Sequence, residues 1–470
     1  MAKENSSCFI LEKISEQVGT SEPALKLLLT VLAGYPLALI HRKYFYGKDV
    51  SLQHLFFIAS GFSMGYWNYG RDMFHCVFTT FFTYCTLFIL KGTDISVAIT
   101  LIFNLGYLLI GYYYASTDSY DINWTMPQCI LTLRLIGVAF DLYDGHQPVE
   151  TLSKDSKKVA LQKRPSLLEM FGHAFFPASF LVGPQFPMKR YQEFVSGQYS
   201  EKETPNQPPD SIDAAIRRFA LGVLYLVIFQ VLGIFVSDDL FISDEFGNLS
   251  FARRILLLGI WGRYTLYKYI SCWLLTEGAC ILFGLTHNGE DENGEVQWNG
   301  LENIKISIFE NTTEFGHFIQ SFNVNTNQWS AQYIYKRLKF LGNRLVSQSV
   351  TLLFLAVWHG LHSGYYVCFL FEFIVMYMER DLKSIVKSNE TLTRFFDIPQ
   401  LQLPLQIILR IYTFVFMGWC LLPFALLHFH SYMKAFANVD YIGAVLFLLW
   451  PIVYAPILRL IFKKTKIRSE

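Results

Sequence analysis

Charge is what this chain is short of. Asp, Glu, Lys and Arg make up 16% of its 470 residues, where soluble domains carry about 25%. So few charges cannot cover a water-facing surface over the whole length, which excludes an ordinary soluble protein. Nor is either sign in excess. Lys and Arg number 39 against 38 Asp and Glu, a formal charge of +1, so the basic reservoir behind non-specific phosphate attraction is missing and a nucleic-acid role is excluded. Cysteines are few and scattered: Cys8, Cys76, Cys85, Cys129, Cys272, Cys280, Cys368 and Cys420 stand mostly in apolar stretches, with no CxxC pair. They read as small buried hydrophobes, not as a disulfide framework or a zinc site. The polar stretches 143–164, 189–213 and 286–344 are too short for a separate soluble catalytic domain of usual size. A signal peptide is not evident, because residues 1–22 mix Lys and Glu without a compact apolar run, and the first span is expected to act as its own targeting signal. An internal repeat is missing too, which counts against a repeat-built transporter.

What is there is apolar and aromatic. Hydrophobic residues reach 52% and aromatics 17%, with 43 Phe and 27 Tyr, and mean hydropathy is +0.30; disorder is excluded for most of the length. A bilayer core needs about 20 apolar residues of helix. Residues 51–70, 73–90, 95–117, 219–236, 345–371, 411–433 and 441–458 are uncharged and qualify as spans, and 27–40, flanked by Lys26 and Arg42, is an eighth. Two hydrophobic stretches are interrupted by charge, 124–140 by Arg134 and 255–285 by Arg263, Lys268 and Glu277. Such charges need protein or water around them, and for the second stretch an internal ion network is expected. The run 170–188 is uncharged but holds Pro177, Pro184 and Pro187, which predicts a broken or re-entrant segment. The expectation is an all-α polytopic integral membrane protein of nine to twelve spans. It has a polar segment at 1–22, a transmembrane domain at 23–462 and a basic tail at 463–470, whose charges favour the cytosol.

The window LLFLAVWHGLHSGYYVCFLFEF, 352–373, carries the sharpest chemical signal. His359 lies inside an uncharged run, 345–371, at a depth expected near the membrane centre, and an intramembrane ionisable group is a functional candidate by default. His362 follows three residues later, so on one continuous helix both imidazoles share a face, with Gly360 and Gly364 allowing close approach. The bland alternative is a core histidine satisfied by neighbouring helices. Two His at this spacing without a carboxylate or thiolate are a weak metal site.

Upstream stand FNVNTNQW, 322–329, and YIYKRLKFLGNR, 333–344. With WHGLHSGYY, and with PSLLEMFGHAFFPASFLVGPQF at 165–186, these motifs resemble the lysophospholipid branch of the membrane-bound O-acyltransferase family over most of the chain. The resemblance implies a helical bundle with re-entrant or broken segments enclosing a reaction tunnel, His359 as the catalytic histidine, and Asn323, the first Asn of FNxxTNxW, as its partner, with Asn327 second. It implies acyl-CoA and a lysophospholipid as substrates, no metal or redox cofactor, the endoplasmic reticulum membrane as location, and a homodimer as a plausible assembly. The acceptor would be lysophosphatidylcholine, then lysophosphatidylserine and lysophosphatidylethanolamine, and the donor a polyunsaturated acyl-CoA. The tail ends IRSE, so the dilysine retrieval signal of some relatives is absent from its usual place. Trp329, Trp358, His362 and Tyr365 are candidate substrate contacts. Lys336, Arg337, Lys339 and Arg344 are candidates for the CoA phosphates, although positive residues flanking a span have the same composition. The soluble-type signature, His followed five residues later by Asp, occurs after none of the eleven histidines. Readings from other classes are a polytopic transporter without acyl chemistry and a protein-acylating member of the same family.

Overall fold

The computed structural model describes residues 11–17, 19–115, 122–200 and 207–462; the basic tail expected at 463–470 lies outside them. The longer helices are α1 (Glu22–Ile40), α2 (Val50–Tyr69), α3 (Phe74–Leu90), α4 (Asp94–Ala115), α5 (Thr125–Gly145), α6 (Leu167–Ala174), α7 (Ile212–Leu232), α8 (Phe251–Phe283), α9 (Phe315–Ser321), α10 (Val324–Ser330), α11 (Arg344–His359), α12 (Ser363–Lys387), α13 (Pro399–Leu426) and α14 (Phe429–Asn438). Among the described residues no extended strand occurs, only two isolated bridges.

Six helical stretches are long and apolar enough to cross a membrane: Glu22–Phe45, Val50–Leu90, Asp94–Ala115, Thr125–Gly145, Ile212–Leu232 and Pro399–Leu426. A seventh, Ile442–Leu448 with Trp450–Ile461, is bent by 44°. The expected spans 51–70 and 73–90 run together through a single turn at Gly70–Met73. Two expected spans fall outside this set for different reasons. The interrupted stretch 255–285 is one helix, α8, of 33 residues, but it carries Arg253, Arg254, Arg263, Lys268 and Glu277. The run 345–371 is not one helix at all, because it breaks between α11 and α12.

The chain divides into two interleaved compact units. Unit 1 holds Met1–Tyr225, Ile270–Asn303 and Gln328–Arg337; unit 2 holds Leu226–Tyr269, Ile304–Asn327 and Leu338–Glu470.

The core of unit 1 is a phenylalanine cluster around the segment after α6. Phe57 of α2 meets Phe176 with ring centroids 4.9 Å apart, and Phe176 meets Phe283 of α8 at 5.0 Å. The Pro-rich stretch is broken as its prolines predict: α6 ends at Ala174, and residues 175–187 have no helical ladder to satisfy their carbonyls. Arg134 of α5 does that work. Its guanidinium donates to the carbonyl oxygens of His173 (2.9 Å), Ala174 (3.2 Å), Ser179 (2.9 Å) and Pro184 (3.2 Å) and to Ser179 Oγ (2.6 Å), and lies 4.7 Å from the Phe186 ring centroid. Among the described residues no carboxylate pairs with it. A cation that sequence reading places as a membrane liability is therefore the donor set for an irregular backbone at depth, which is tolerated only where protein satisfies it.

Two of the charges that interrupt α8 pair inside the protein, each with a partner off the helix. Glu277, in unit 1, accepts from Arg218 at 2.9 Å, and Arg218 also pairs with Glu302 at 3.5 Å. In unit 2, Arg263 lies 3.7 Å from Glu310 and over the Phe309 ring.

In unit 2, α8 and α13 meet backbone to backbone: a Cβ on Gly262 would come 2.6 Å from the Gly418 Cα. Small residues permit such approaches, and dispersion across the seam holds the helices where no hydrophobic effect acts in lipid. Trp419 is fully buried beside it, 4.5 Å from Phe371 and 4.8 Å from Phe436 between ring centroids.

Candidate active site

Unit 2 contains His359, and the local sequence explains where its side chain stands. Asn343 caps α11, its side chain accepting from the amides of Leu345 (2.9 Å) and Val346 (3.3 Å). Sixteen residues later the helix stops on His359, because Gly360 adopts φ 138°, ψ −165°, a conformation essentially closed to residues with a Cβ. His362 is the N-cap of α12, in extended backbone. The expectation that His359 and His362 share one helical face is thus overturned: they flank a break. Hydropathy could not reveal it, since an uncharged apolar run looks the same whether or not one glycine turns the chain.

The break is lined by rings. His359 contacts Trp358 (4.7 Å between centroids), Phe424 of α13 (5.0 Å), Phe369 (5.4 Å) and Tyr365 (5.6 Å), and Tyr365 in turn meets Phe424 at 5.0 Å. Among the described residues no carboxylate reaches the imidazole, and the residue is only partly buried. His362 faces His428 at 5.0 Å and Tyr365 at 6.1 Å.

Gly364 seats the start of α12 on the end of α13. Its amide donates to Leu427 O at 3.0 Å, and a Cβ there would run into the carbonyl oxygens of Pro423 and Leu427. Gly364→Ala is therefore expected to cost about 1–3 kcal/mol through overpacking, read as a lower midpoint of thermal unfolding in detergent; an unchanged midpoint would show that the seam yields freely.

Asn323 is also in unit 2, in the turn between α9 and α10, with φ 50°. Asn is the non-glycine residue that best tolerates this left-handed region, so the backbone alone gives one reason for it. Asn327, one turn on, donates from its side-chain amide to Ile319 O and Phe322 O, each at 2.9 Å, which closes the loop beneath Asn323.

The remaining candidates divide between the units. Lys339 is exposed in unit 2. Trp329, Lys336 and Arg337 belong to unit 1, where each has a protein partner. Trp329 donates through Nε1 to Leu133 O at 2.9 Å. Arg337 grips the fully buried Asp144 through both guanidinium nitrogens, one at 2.8 Å. Lys336 pairs with Asp155, and that hydrogen bond holds the Asp155 carboxyl below its usual range. For Lys336 and Arg337 the structural pairing is what the chain itself uses.

Two features escaped sequence reading. The aromatic wall includes Phe424, 65 residues downstream of His359 and joined to it only by tertiary packing. The other is Glu372, the acid that ends the uncharged run, which no motif marks. Among the described residues no group of three His, Cys, Asp or Glu is placed to hold a metal ion.

Comparison with known proteins agrees in one direction. The profile of the membrane-bound O-acyltransferase family matches residues 109–418, which include Asn323, His359 and the α11–α12 break. A protein of Drosophila melanogaster named Lysophospholipid acyltransferase 5 is 44% identical over 95% of this chain and 89% of its own length. Proteins of the same name from Homo sapiens and Caenorhabditis elegans are 41% identical over 93% of this chain and 90% of their own, and 37% over 97% of both. An all-helical polytopic bundle, a histidine at a broken helix and similarity along nearly the full length together place this chain in the membrane-bound O-acyltransferase family.

Proposed function

We propose that this chain is a lysophospholipid acyltransferase that moves a polyunsaturated acyl group from acyl-CoA to the sn-2 hydroxyl of lysophosphatidylcholine, with lysophosphatidylserine and lysophosphatidylethanolamine as further acceptors, remodelling phospholipids in the endoplasmic reticulum membrane. The observation that carries the reading is the position of His359: a half-buried residue at the C-terminal end of α11, walled by aromatic rings and without an opposing carboxylate among the described residues. The names of relatives that match along most of both chains support the substrate class.

The chemistry follows from that position. The acceptor hydroxyl attacks the thioester carbonyl, forming the new C–O bond, and its proton passes to His359. The C–S bond then breaks, and the proton leaves the imidazolium for the CoA thiolate. A positioned base of this kind contributes about 10²–10⁴ in rate. The C-terminal end of α11 carries the negative pole of the helix, which favours the positive charge arriving on the ring during the transfer, by about 0.3–1 kcal/mol. Asn323 donates to the carbonyl oxygen as charge develops on it, or orients the imidazole. Lys339, Asn327, Trp358, His362 and Tyr365 are proposed substrate contacts. A homodimer and a cytosolic tail at 463–470 belong to the same reading.

The test is acyl transfer from arachidonoyl-CoA to lysophosphatidylcholine in microsomes expressing the full chain, with phospholipase A2 digestion locating the new ester. Arachidonate released from sn-2 is expected. Asn323→Ala is expected to lower the rate by about 10²–10³ if the amide stabilises the oxyanion. A wild type that esterifies no lysophospholipid overturns the proposal.

A further inference from the structure

Glu372 lies on α12, which packs against both α11 and α13 within unit 2. At seven residues from Tyr365 and three from Phe369, it shares their face of the helix, and those are two of the rings that touch His359. It stands about 4.5 Å further along the axis than Phe369. The same face carries Met376, whose Sδ meets the Gln348 amide of α11 at 4.0 Å, so this face is turned toward α11, and Glu372 on it is half-buried. No hydrogen bond or ion pair to Glu372 exists among the described residues. The other acids of α12 are spoken for: Glu379 accepts from the Phe315 amide and Tyr412 Oη, and Asp381 from Trp450 Nε1 and Arg459.

A carboxyl inside a membrane bundle is costly unless something pairs with it. What is missing here is a positive charge, and the surrounding rings are the kind that accept a quaternary ammonium. An acceptor lysolipid whose hydroxyl is at His359 places its headgroup nitrogen one phosphodiester away from the reacting atom. Resting on the lysophospholipid reading above, we infer that Glu372 is the specificity-determining counter-charge for a cationic acceptor headgroup, choline or ethanolamine. It touches the headgroup and takes no part in the bond changes at the thioester.

The experiment compares the purified full chain with Glu372→Gln and Glu372→Asp. Inhibition is measured with two acceptor analogues that lack the sn-2 hydroxyl, one bearing phosphocholine and one phosphoglycerol, which has the same phosphate and no cation. Glu372→Gln is expected to weaken the phosphocholine analogue at least about tenfold and to leave the phosphoglycerol analogue and the KM for acyl-CoA unchanged. Glu372→Asp keeps the charge and is expected to retain most of the discrimination. An equal loss for both analogues marks a purely structural carboxyl and overturns the inference, as does no loss for either. Should Glu372→Gln fail to accumulate, Glu372→Ala takes its place: loss of discrimination between the two analogues supports the counter-charge, and full discrimination overturns it. A wild type inactive on every lysophospholipid would instead sink the underlying reading.

Discussion

His359→Ala is expected to lower acyl transfer to lysophosphatidylcholine by about 10²–10⁴, the worth of a positioned general base, with most of the loss in kcat because the proton moves only in the transition state. The packing around the site lets this variant fold. His359 is the last residue of α11, and the turn that follows is set by Gly360. The surrounding contacts are ring to ring, and Tyr365 and Phe424 still meet without the imidazole. Unchanged thermal unfolding with activity lost would assign the loss to chemistry. His362→Ala is the internal control: across the break, on the next helix and against His428, it is expected to lose far less. Full activity in His359→Ala, or equal losses in the two variants, would refute the assignment.

Arg134→Met is expected to have the largest effect on stability. Its side chain is similar in length and apolar, so the change removes the donors while filling much of the volume. Replacing a buried ion pair by apolar groups is often neutral, because both partners disappear. Here the partners are the backbone carbonyls of His173, Ala174, Ser179 and Pro184, which no substitution at 134 can remove. Ser179 O keeps the Gly183 amide at 3.1 Å, but the other three lose the Arg134 donors inside an apolar core at about 1–3 kcal/mol each, and partial rearrangement brings the total to roughly 3–5 kcal/mol. The measurement is the unfolding midpoint in detergent together with the amount of protein accumulated in the membrane. Arg134→Lys, with one ammonium in place of a planar fork, should fall between the two. An Arg134→Met protein as stable as wild type would mean that the 175–187 backbone finds other donors.

The architecture was legible because it depends on composition and period. Long uncharged runs have one stable solution in a bilayer, and α1, α4 and α7 appear where those runs predict them. Prolines 177, 184 and 187 announced a broken segment, since a missing amide and a ring clash act locally. The candidate pair Asn323 and His359 was readable from motifs by resemblance, and both occupy turns that their neighbours explain, a left-handed φ for Asn323 and a glycine break after His359.

What tertiary structure alone decided is everything that joins residues distant in sequence. Arg134 reads as a charge stranded in a span until the carbonyls 39 to 50 residues away close around it. Lys336 and Arg337 read either as phosphate ligands or as charges flanking a span, and only the fold puts Asp155 and Asp144 beside them. Phe424 joins the wall around His359 from another helix. The division of Trp329, Lys336 and Arg337 from the His359 unit follows no boundary in composition. Hydropathy is a sum over neighbours in the chain. It therefore determined that the protein crosses a membrane as helices, while the satisfaction of each buried charge and carbonyl, a pairwise matter of contact in space, was settled only by the fold.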